Sequence, residues 1–173
     1  FKELELYLEE KTMTLSEIRR LRELLLSLGL EVLSVHGPVE ANLADEDDRK
    51  RRDALNAYLK HVEYCAILNA DVLVFHAGVN RAGDEKLLNL EIIRKLLEFT
   101  EGTAVRIALE DGKGISNLIE IIEGTDKRRV GLCFDFGHAH IDGLRCLVYQ
   151  IYIVNHTYIF FLSRFWSISM WSF

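Results

Sequence analysis

The chain has 173 residues, of which 49% are hydrophobic and 28% are charged, and its formal net charge is −6. This length and balance are typical of one soluble globular domain with a substantial core. A negative net charge is not typical of a nucleic-acid-binding protein. It does not exclude nucleic-acid binding, because an acidic protein can carry a local basic surface.

The first segments predict a strand, a helix and a second strand. Residues 3–9 alternate between apolar and charged side chains, which indicates a strand. Thr14 and Glu17 have the spacing of a capping box, and Gly29 is expected to end the helix that they begin. That helix is predicted to bury a stripe of leucines at helical spacing: Leu21, Leu24, Leu25 and Leu28. Residues 31–36 predict the second strand.

A long helix is predicted over residues 45–69, because its acidic first turn suits the positive end of the helix dipole. Its buried stripe is expected to contain four apolar residues at helical spacing: Leu55, Leu59, Val62 and Ala66. His61 is predicted to lie on the surface of this helix.

Three more strands and two more helices complete the pattern. The strands are predicted over residues 71–76, 104–110 and 130–135. The helices are predicted over residues 84–99, with Leu88, Ile92, Leu96 and Phe99 facing inward, and over residues 116–123, with Ser116 as the cap. Strict alternation of strands and helices indicates a parallel sheet covered by helices, either an open sheet or a (β/α)8 barrel. No glycine-rich phosphate loop follows a strand, which disfavours a nucleotide-binding open sheet.

Charge and aromatic content divide the chain into two parts. Residues 144–173 contain two charged side chains, Arg145 and Arg164, and nine of the seventeen aromatic residues. We therefore predict a domain over residues 1–143 and a separate apolar, aromatic tail over residues 144–173.

The tail has three interpretations. A membrane span needs about 20 mostly apolar residues, and this segment is interrupted by Gln150, Asn155 and His156. A pair of strands is the second interpretation. The abrupt change after Gly143 favours the third, in which a shifted reading frame or a truncation has replaced the natural sequence.

The cysteines indicate a reducing compartment. Cys65, Cys133 and Cys146 are odd in number and show no CxxC spacing, which is typical of reduced core thiols. The acidic N-terminal segment is not typical of a signal peptide. We therefore predict a cytoplasmic location and no association with a membrane.

Four of the predicted strands end on a residue type that binds metal. These residues are His36, His76, Glu110 and Asp135, and His138 follows Asp135 by three residues. In parallel α/β folds the carboxyl ends of the strands converge on one face. Histidine and carboxylate ligands suit Zn²⁺, Mn²⁺, Co²⁺ or Fe²⁺.

Each residue taken singly has a more common structural explanation. A histidine at a strand end is usually a packed core or rim residue, a glutamate there is usually exposed or caps a helix, and Asp135 could accept hydrogen bonds from backbone amides. All four in register favour a divalent-metal site, because unpaired they would be costly to remove from water.

The segments SVHGPVEANL, VFHAG, ALEDG and CFDFGHAH resemble the xylose isomerase-like barrel superfamily in order and spacing. This superfamily contains sugar and sugar-phosphate isomerases and epimerases, and also the endonuclease IV type of apurinic-site nuclease. The resemblance covers residues 1–143 and implies an α/β fold of the (β/α)8 TIM-barrel type, partial, running from the second to the sixth barrel strand.

The two branches of the superfamily imply different site roles. In the nuclease branch, five residues match ligands of a trinuclear zinc site: His36, His76, Glu110, Asp135 and His138. In the isomerase and epimerase branch, Glu110 and Asp135 match ligands of one divalent metal, His138 contacts the substrate, and Glu110 helps to move the proton.

Several positions depart from the family pattern. The His and Glu ligands that the family places on its seventh and eighth strands, and the Asp-x-His pair of the nuclease, are not found, and His156 falls too early to replace them. The nuclease branch has Tyr where this chain has Val39, and Asn where it has Asp111. These two differences and the negative charge favour the sugar branch.

The first functional hypothesis is a divalent-metal-dependent sugar or sugar-phosphate isomerase or epimerase that acts through an enediolate. The resemblance implies Glu110 and His138 as catalytic residues and Mn²⁺, Co²⁺ or Zn²⁺ as the cofactor. Under this hypothesis Glu110 and Asp135 would hold the metal, and the three histidines His36, His76 and His138 would line the pocket for a small sugar or sugar phosphate. Taken together, the two branches make Glu110, Asp135, His76 and His36 the candidate metal ligands. Because later ligands are not found, the chain is expected to lack part of this active site.

Two alternatives stay open. An apurinic/apyrimidinic-site phosphodiesterase with a multinuclear zinc site would bind DNA, and the basic run at residues 49–52 is the one cluster near a strand end, although such a run is more often a solvated face. A non-catalytic, truncated barrel would instead expose an open sheet edge, which could pair with a second copy of the chain as a homo-oligomer.

Overall fold

A computed structural model of the chain describes residues 2–8, 13–79, 82–110, 115–135 and 159–160. The described residues form one six-stranded sheet in which the spatial order of the strands follows the chain order. The strands are β1 (Glu3–Tyr7), β2 (Glu31–His36), β3 (Val72–His76), β4 (Arg106–Glu110), β5 (Val130–Cys133) and β6 (Ile159–Phe160). The helices are α1 (Leu15–Ser27), α2 (Asp48–Leu68), α3 (Glu85–Phe99) and α4 (Ile115–Glu123).

Every neighbouring pair of strands is parallel. The predicted alternation from β1 to β5 is therefore confirmed, and no strand end differs from the predicted one by more than two residues. In the predicted tail, residues 159–160 pair with β5, and the rest of residues 144–173 lies outside the described part of the chain. Among the described residues, no helix combines the length and the apolar character that a membrane span needs.

The two faces of the sheet have different neighbours. Side chains alternate between faces along a strand, so Leu73, Phe75, Ile107 and Leu109 join the large cluster that the helices cover. The opposite face carries a small separate cluster of Val72, Val74, Ala108 and Cys133. We call this opposite face the inner face. Because residues two apart along a strand share a face, His76 lies on the inner face next to Val74, and Glu110 lies there next to Ala108.

Helix α1 buries a different stripe from the predicted one. Ile18 and Leu25 are its buried residues, whereas Leu24 and Leu28 are 56% and 62% exposed. The helix is rotated so that the line through Ile18 and Leu25 faces the sheet, and the four leucines alone did not define that rotation. In α2 and α3 the predicted stripes also shift at their ends, since Ala66 and Phe99 are exposed.

His61 is buried, which contradicts its predicted surface position. Its exposed fraction is 0%, and its ring lies 5.2 Å from the ring of Tyr64. Nδ1 lies 2.8 Å from the carbonyl oxygen of Ala57, and Nε2 lies 3.3 Å from that of Leu8. The buried face of α2 is wider than its aliphatic residues indicate, because tyrosines and this histidine contribute to it.

Capping residues mark several of the helix ends. Asp47 caps α2, Asn69 ends it in the left-handed conformation at φ 59°, and Gly29 follows α1 at φ 68°. The predicted cap at Ser116 is wrong, because α4 begins one residue earlier, at Ile115. Among the described cysteines, Cys65 and Cys133 are buried and form no disulfide, and desolvation raises the pKa of the Cys65 thiol to about 12.

The predicted capping box at the start of α1 is confirmed. Glu17 N donates to Thr14 Oγ1 at 3.3 Å, and Thr14 N donates to Glu17 Oε2 at 2.6 Å. We expect Thr14→Ala to lower the free energy of unfolding by about 1 kcal/mol, because one of the first amides of the helix loses its acceptor. Urea denaturation measures this loss, and Thr14→Ser, which keeps the hydroxyl, should stay close to the parent. Equal losses in both variants would assign the effect to the threonine methyl group instead.

Candidate metal centre

Three of the predicted site residues are the last residues of three adjacent strands. His36 ends β2, His76 ends β3 and Glu110 ends β4. His76 and Glu110 are direct partners in the parallel ladder between β3 and β4. Because the strands run in the same direction, their carboxyl ends lie side by side at one edge of the sheet.

The two imidazoles point at the same carboxylate oxygen. His36 Nε2 lies 3.0 Å and His76 Nε2 lies 2.7 Å from Glu110 Oε2. One ligand atom from each of the three residues lies within 4.8 Å of the others. The histidine rings are 5.0 Å apart between centroids. Ligand atoms bound to one zinc lie about 2.0–2.2 Å from it, so a small shift of these side chains would admit a divalent cation between them.

Burial makes this arrangement electrostatically costly without a positive partner. Glu110 is 7% exposed, and the side chains of His36 and His76 are 14% and 21% exposed. Desolvation alone would raise the pKa of Glu110, but the hydrogen bonds and charges of the two histidines outweigh it and lower this pKa to about 2. Desolvation likewise opposes the charged form of His36, yet its hydrogen bonds to Glu110 and Gly37 raise the pKa of the imidazole.

Hydrogen bonding fixes which nitrogen of His36 is available as a ligand. Nδ1 lies 2.8 Å from the carbonyl oxygen of Gly37, which can only accept, so Nδ1 carries a proton. When Nε2 donates to Glu110, it carries a second proton and the imidazole is positively charged. A divalent cation bound at Nε2 would replace that proton, and the hydrogen bond to Gly37 would still orient the ring. The donor set and its geometry therefore fit a divalent metal.

A sequence model of the family described as the xylose isomerase-like TIM barrel matches residues 1–162. The chain belongs to this family. The predicted resemblance and the predicted TIM-barrel fold are thereby confirmed. The match continues past residue 143, which was predicted as the end of the domain, into the predicted tail. The division at that residue stays a prediction.

The curated relatives share about a third of their aligned residues with this member of the barrel family. A probable endonuclease 4 of Mycoplasma genitalium is 29% identical over 138 residues, which are 68% of this chain and 47% of that protein. A probable endonuclease 4 of Campylobacter curvus is 34% identical over 119 residues, which are 62% of this chain and 42% of that protein. The chain thus spans less than half the length of these two relatives.

Solved structures of similar fold include sugar epimerases. A D-tagatose 3-epimerase-like protein superimposes with a TM-score of 0.72 and 24% identity, covering 82% of this chain and 59% of that one. The IolI protein with a bound zinc atom superimposes with a TM-score of 0.65 and 18% identity, covering 81% of this chain and 55% of that one. At these identities the likeness shows the barrel fold alone.

Of the other two predicted site residues, the structure describes Asp135. Asp135 is half-buried and follows the end of β5 by two residues, outside the group formed by His36, His76 and Glu110. Alternation from Cys133 places it on the inner face, so its role as a metal ligand stays a prediction. His138 lies outside the described residues, and so does its predicted part in catalysis and substrate binding.

Two residues of β1 that were not predicted as site residues border the cluster. Tyr7 is the ladder partner of His36, and its ring meets the imidazole edge-on, with centroids 5.7 Å apart and planes at 69°. Glu5 lies two residues earlier on the same face and accepts a hydrogen bond of 2.7 Å from the buried hydroxyl of Ser34. The available signal was their position on the first strand, whose end was not compared with the other four.

The metal-free cluster should give the chain a defined pH dependence of stability. Because the pKa of Glu110 is lowered from 4.5 to about 2, its contribution is present above 4.5 and is lost as the pH falls toward 2. Because the pKa of His36 is raised from 6.5, its contribution is complete below 6.5 and is lost as the pH rises through the raised value. The cluster therefore stabilises the metal-free chain most between pH 4.5 and 6.5.

Urea unfolding of chelator-treated protein across this range measures the effect. The parent should lose more stability than Glu110→Gln on both the acidic and the basic side of the window, since the variant lacks the carboxylate that couples the two groups. Identical pH profiles for the parent and the variant would show that other groups cause the dependence.

Proposed function

We propose that the chain carries part of the active site of a divalent-metal-dependent phosphodiesterase that cleaves DNA at abasic sites. The observation that carries this proposal is the convergence of both imidazoles, His36 and His76, on one oxygen of Glu110. In the nuclease branch of the superfamily both histidines match metal ligands. In the sugar branch the metal is held at Glu110 and Asp135, and the histidines have no ligand role.

The curated relatives support the same choice. Both named above are probable endonucleases 4, and their identity of 29% and 34% exceeds the 24% and 18% of the two solved structures. The chain spans less than half of each relative, so the activity that their names state belongs to the proposal.

The chemistry of the site suits phosphodiester hydrolysis. When bound, a divalent cation supplies Lewis acidity to a phosphoryl oxygen and lowers the pKa of water. Glu110 stays ionised at neutral pH, because its pKa is about 2, and it would keep its negative charge for the cation. His36, with Nδ1 fixed on Gly37, presents Nε2 toward the same point.

A sugar or sugar-phosphate isomerase or epimerase is the second candidate, and surface charge favours it. DNA binding needs basic side chains that are free to meet phosphates. In the basic run at the start of α2, Arg51 pairs with Asp48, and Lys50 lies 3.9 Å from Asp45. Val39, which is 51% exposed, stands where the nuclease branch has a tyrosine.

A direct comparison of the two substrates tests the proposal. The purified chain, loaded with Zn²⁺, is incubated with a DNA duplex that contains one tetrahydrofuran abasic analogue, and with an undamaged duplex as the control. In parallel, the chain loaded with Mn²⁺ or Co²⁺ is incubated with ketohexoses and pentose phosphates, and epimers are separated by chromatography. Glu110→Gln is assayed in both arms to detect contaminating enzymes.

Cleavage at the lesion that is absent with undamaged DNA and absent in Glu110→Gln would support the phosphodiesterase. Epimerisation that depends on Glu110, without cleavage, would replace it with the sugar enzyme. A metal-loaded chain that is inactive in both arms, and that binds the abasic duplex no more tightly than the undamaged one, would overturn the proposal for this chain.

A further inference from the structure

The loop that follows His76 is held by two asparagine side chains. Asn89 lies on α3 and is 1% exposed. Gly78 N donates to its Oδ1 at 2.8 Å, and its Nδ2 donates to Gly78 O at 2.8 Å and to Glu85 O at 2.7 Å. The side-chain amide thus pairs with both backbone polar groups of Gly78, as a neighbouring strand would.

The next residue of the loop is held in the same way from the opposite side. Val79 N donates to Asn42 Oδ1 at 3.0 Å, and Asn42 Nδ2 donates to Val79 O at 2.8 Å. The same Oδ1 accepts a hydrogen bond of 3.1 Å from Ala44 N. Two consecutive peptide units are therefore each paired with one asparagine amide.

The loop approaches its neighbours too closely for a side chain at residue 78. A Cβ on Gly78 would contact Ala44 N and would lie 2.7 Å from Asn42 Oδ1 and 2.9 Å from Ala44 Cβ. The absence of a side chain therefore lets the loop after β3 pack directly on the loop after β2. The amides then satisfy the backbone groups that this packing removes from water.

The two contacts connect the elements that carry the histidines. Asn42 follows His36 by six residues, and Gly78 follows His76 by two. Asn42 therefore joins the loop after His36 to the loop after His76, and Asn89 joins the second loop to α3. Gly37 N also donates to Val74 O at 2.9 Å, which ties the end of β2 to β3.

We propose that Asn42 and Asn89 are positioning residues of the metal centre, which hold the imidazoles of His36 and His76 at a fixed separation around Glu110. A preformed ligand set binds metal more tightly than one that must be ordered on binding, because the ordering entropy is already lost. This inference rests on the metal centre of the proposed function and is independent of its substrate.

Titration of the metal-free chain with Co²⁺ tests the inference, because the visible absorption of Co²⁺ reports ligand geometry as well as affinity. We expect Asn42→Ala and Asn89→Ala to weaken Co²⁺ binding by about 10–100-fold, the range known for groups that orient metal ligands, and to change the intensity of the spectrum. Asn42→Asp keeps the acceptor for Val79 N and Ala44 N, so it should recover part of the affinity.

Thr100→Val is the matched control for a purely structural loss. Thr100 is fully buried and donates to Leu96 O at 2.9 Å, at the end of α3 opposite Asn89. It should lower the melting temperature and leave the Co²⁺ affinity and spectrum unchanged. If Asn89→Ala does not fold, the half-buried Asn42 gives the milder variant.

The outcomes separate the inference from the proposed function. A parent chain that binds Co²⁺, with both alanine variants keeping its affinity and spectrum, would overturn the positioning role and leave the metal centre intact. A folded parent chain that binds no Co²⁺ would overturn the metal centre and the positioning role together.

Discussion

Glu110→Gln is expected to abolish tight binding of divalent metal by a chain that still folds. Glu110 Oε2 is the atom on which both imidazoles converge, and its carboxylate supplies the negative charge of the cluster. An amide of the same shape has no charge and offers one weakly basic oxygen. Residues that only orient ligands are worth about 10–100-fold in affinity, so the loss of this ligand should exceed 100-fold.

Metal content after purification and calorimetric titration with Zn²⁺, Mn²⁺ and Co²⁺ measure the loss. The added metal should also raise the melting temperature of the parent and not that of the variant, because a ligand that binds the folded state stabilises it. Glu5→Gln is the matched control, since Glu5 is a second carboxylate on the inner face and already accepts from Ser34.

The control should bind metal like the parent. Unchanged binding in Glu110→Gln would remove Glu110 from the ligand set. Equal losses in Glu5→Gln and Glu110→Gln would point to the summed negative charge of the inner face as the source of the affinity.

The strand ends were predictable because the rule that aligns them is topological. Once strands and helices alternate, the carboxyl ends of parallel strands must lie at one edge. His36, His76 and Glu110 therefore could be placed together without knowing a single distance. The resemblance in the segments around them then specified the barrel family, which the match over residues 1–162 confirms.

The side chains that support this centre were not predictable in the same way. Asn42 lies in a loop and Asn89 in a helix, and the sequence does not indicate that they pair with two consecutive residues of another loop, Val79 and Gly78. Their roles depend on how closely two loops approach, which is set by packing over the whole sheet. The predictions of which helix face is buried were wrong for a related reason. The burial of His61 and the exposure of Leu24 depend on the rotation of each helix against the sheet.

The predicted domain end after Gly143 rests on composition alone, namely the sharp loss of charge at that point, and it stays a prediction. The family match extends to residue 162, and residues 159–160 pair in parallel with β5. An inner barrel strand is buried on both faces and reads as a continuous apolar run. A fall in charge therefore fits a change from helix-covered surface to buried strand as well as it fits a foreign segment.

Gly37→Ala is expected to lower the free energy of unfolding by about 3 kcal/mol, the upper part of the usual range for overpacking a core. A Cβ at this position would contact the ring carbon Cε1 of Tyr58 and would lie 2.7 Å from the carbonyl oxygen of Val74. Neither group can move away easily. Tyr58 is fully buried with its ring 4.9 Å from that of Phe75, and Val74 O accepts from Gly37 N in the ladder.

Gly124→Ala is the matched control, measured by the same urea denaturation. The nearest atom to its new Cβ is Leu90 Cδ2 at 2.8 Å, the end of a flexible side chain, and the nearest backbone atom lies at 3.4 Å. The free energy of unfolding of Gly124→Ala should differ from that of the parent by less than about 1 kcal/mol. The lower entropy of its unfolded chain offsets the cost of a small shift of the Leu90 side chain. A Gly37→Ala variant as stable as Gly124→Ala would mean that the end of β2 does not pack on Tyr58 as described. Gly37 directly follows His36, and its carbonyl oxygen accepts a hydrogen bond from His36 Nδ1. The same result would therefore also count against the described orientation of that imidazole, on which the geometry of the metal centre depends.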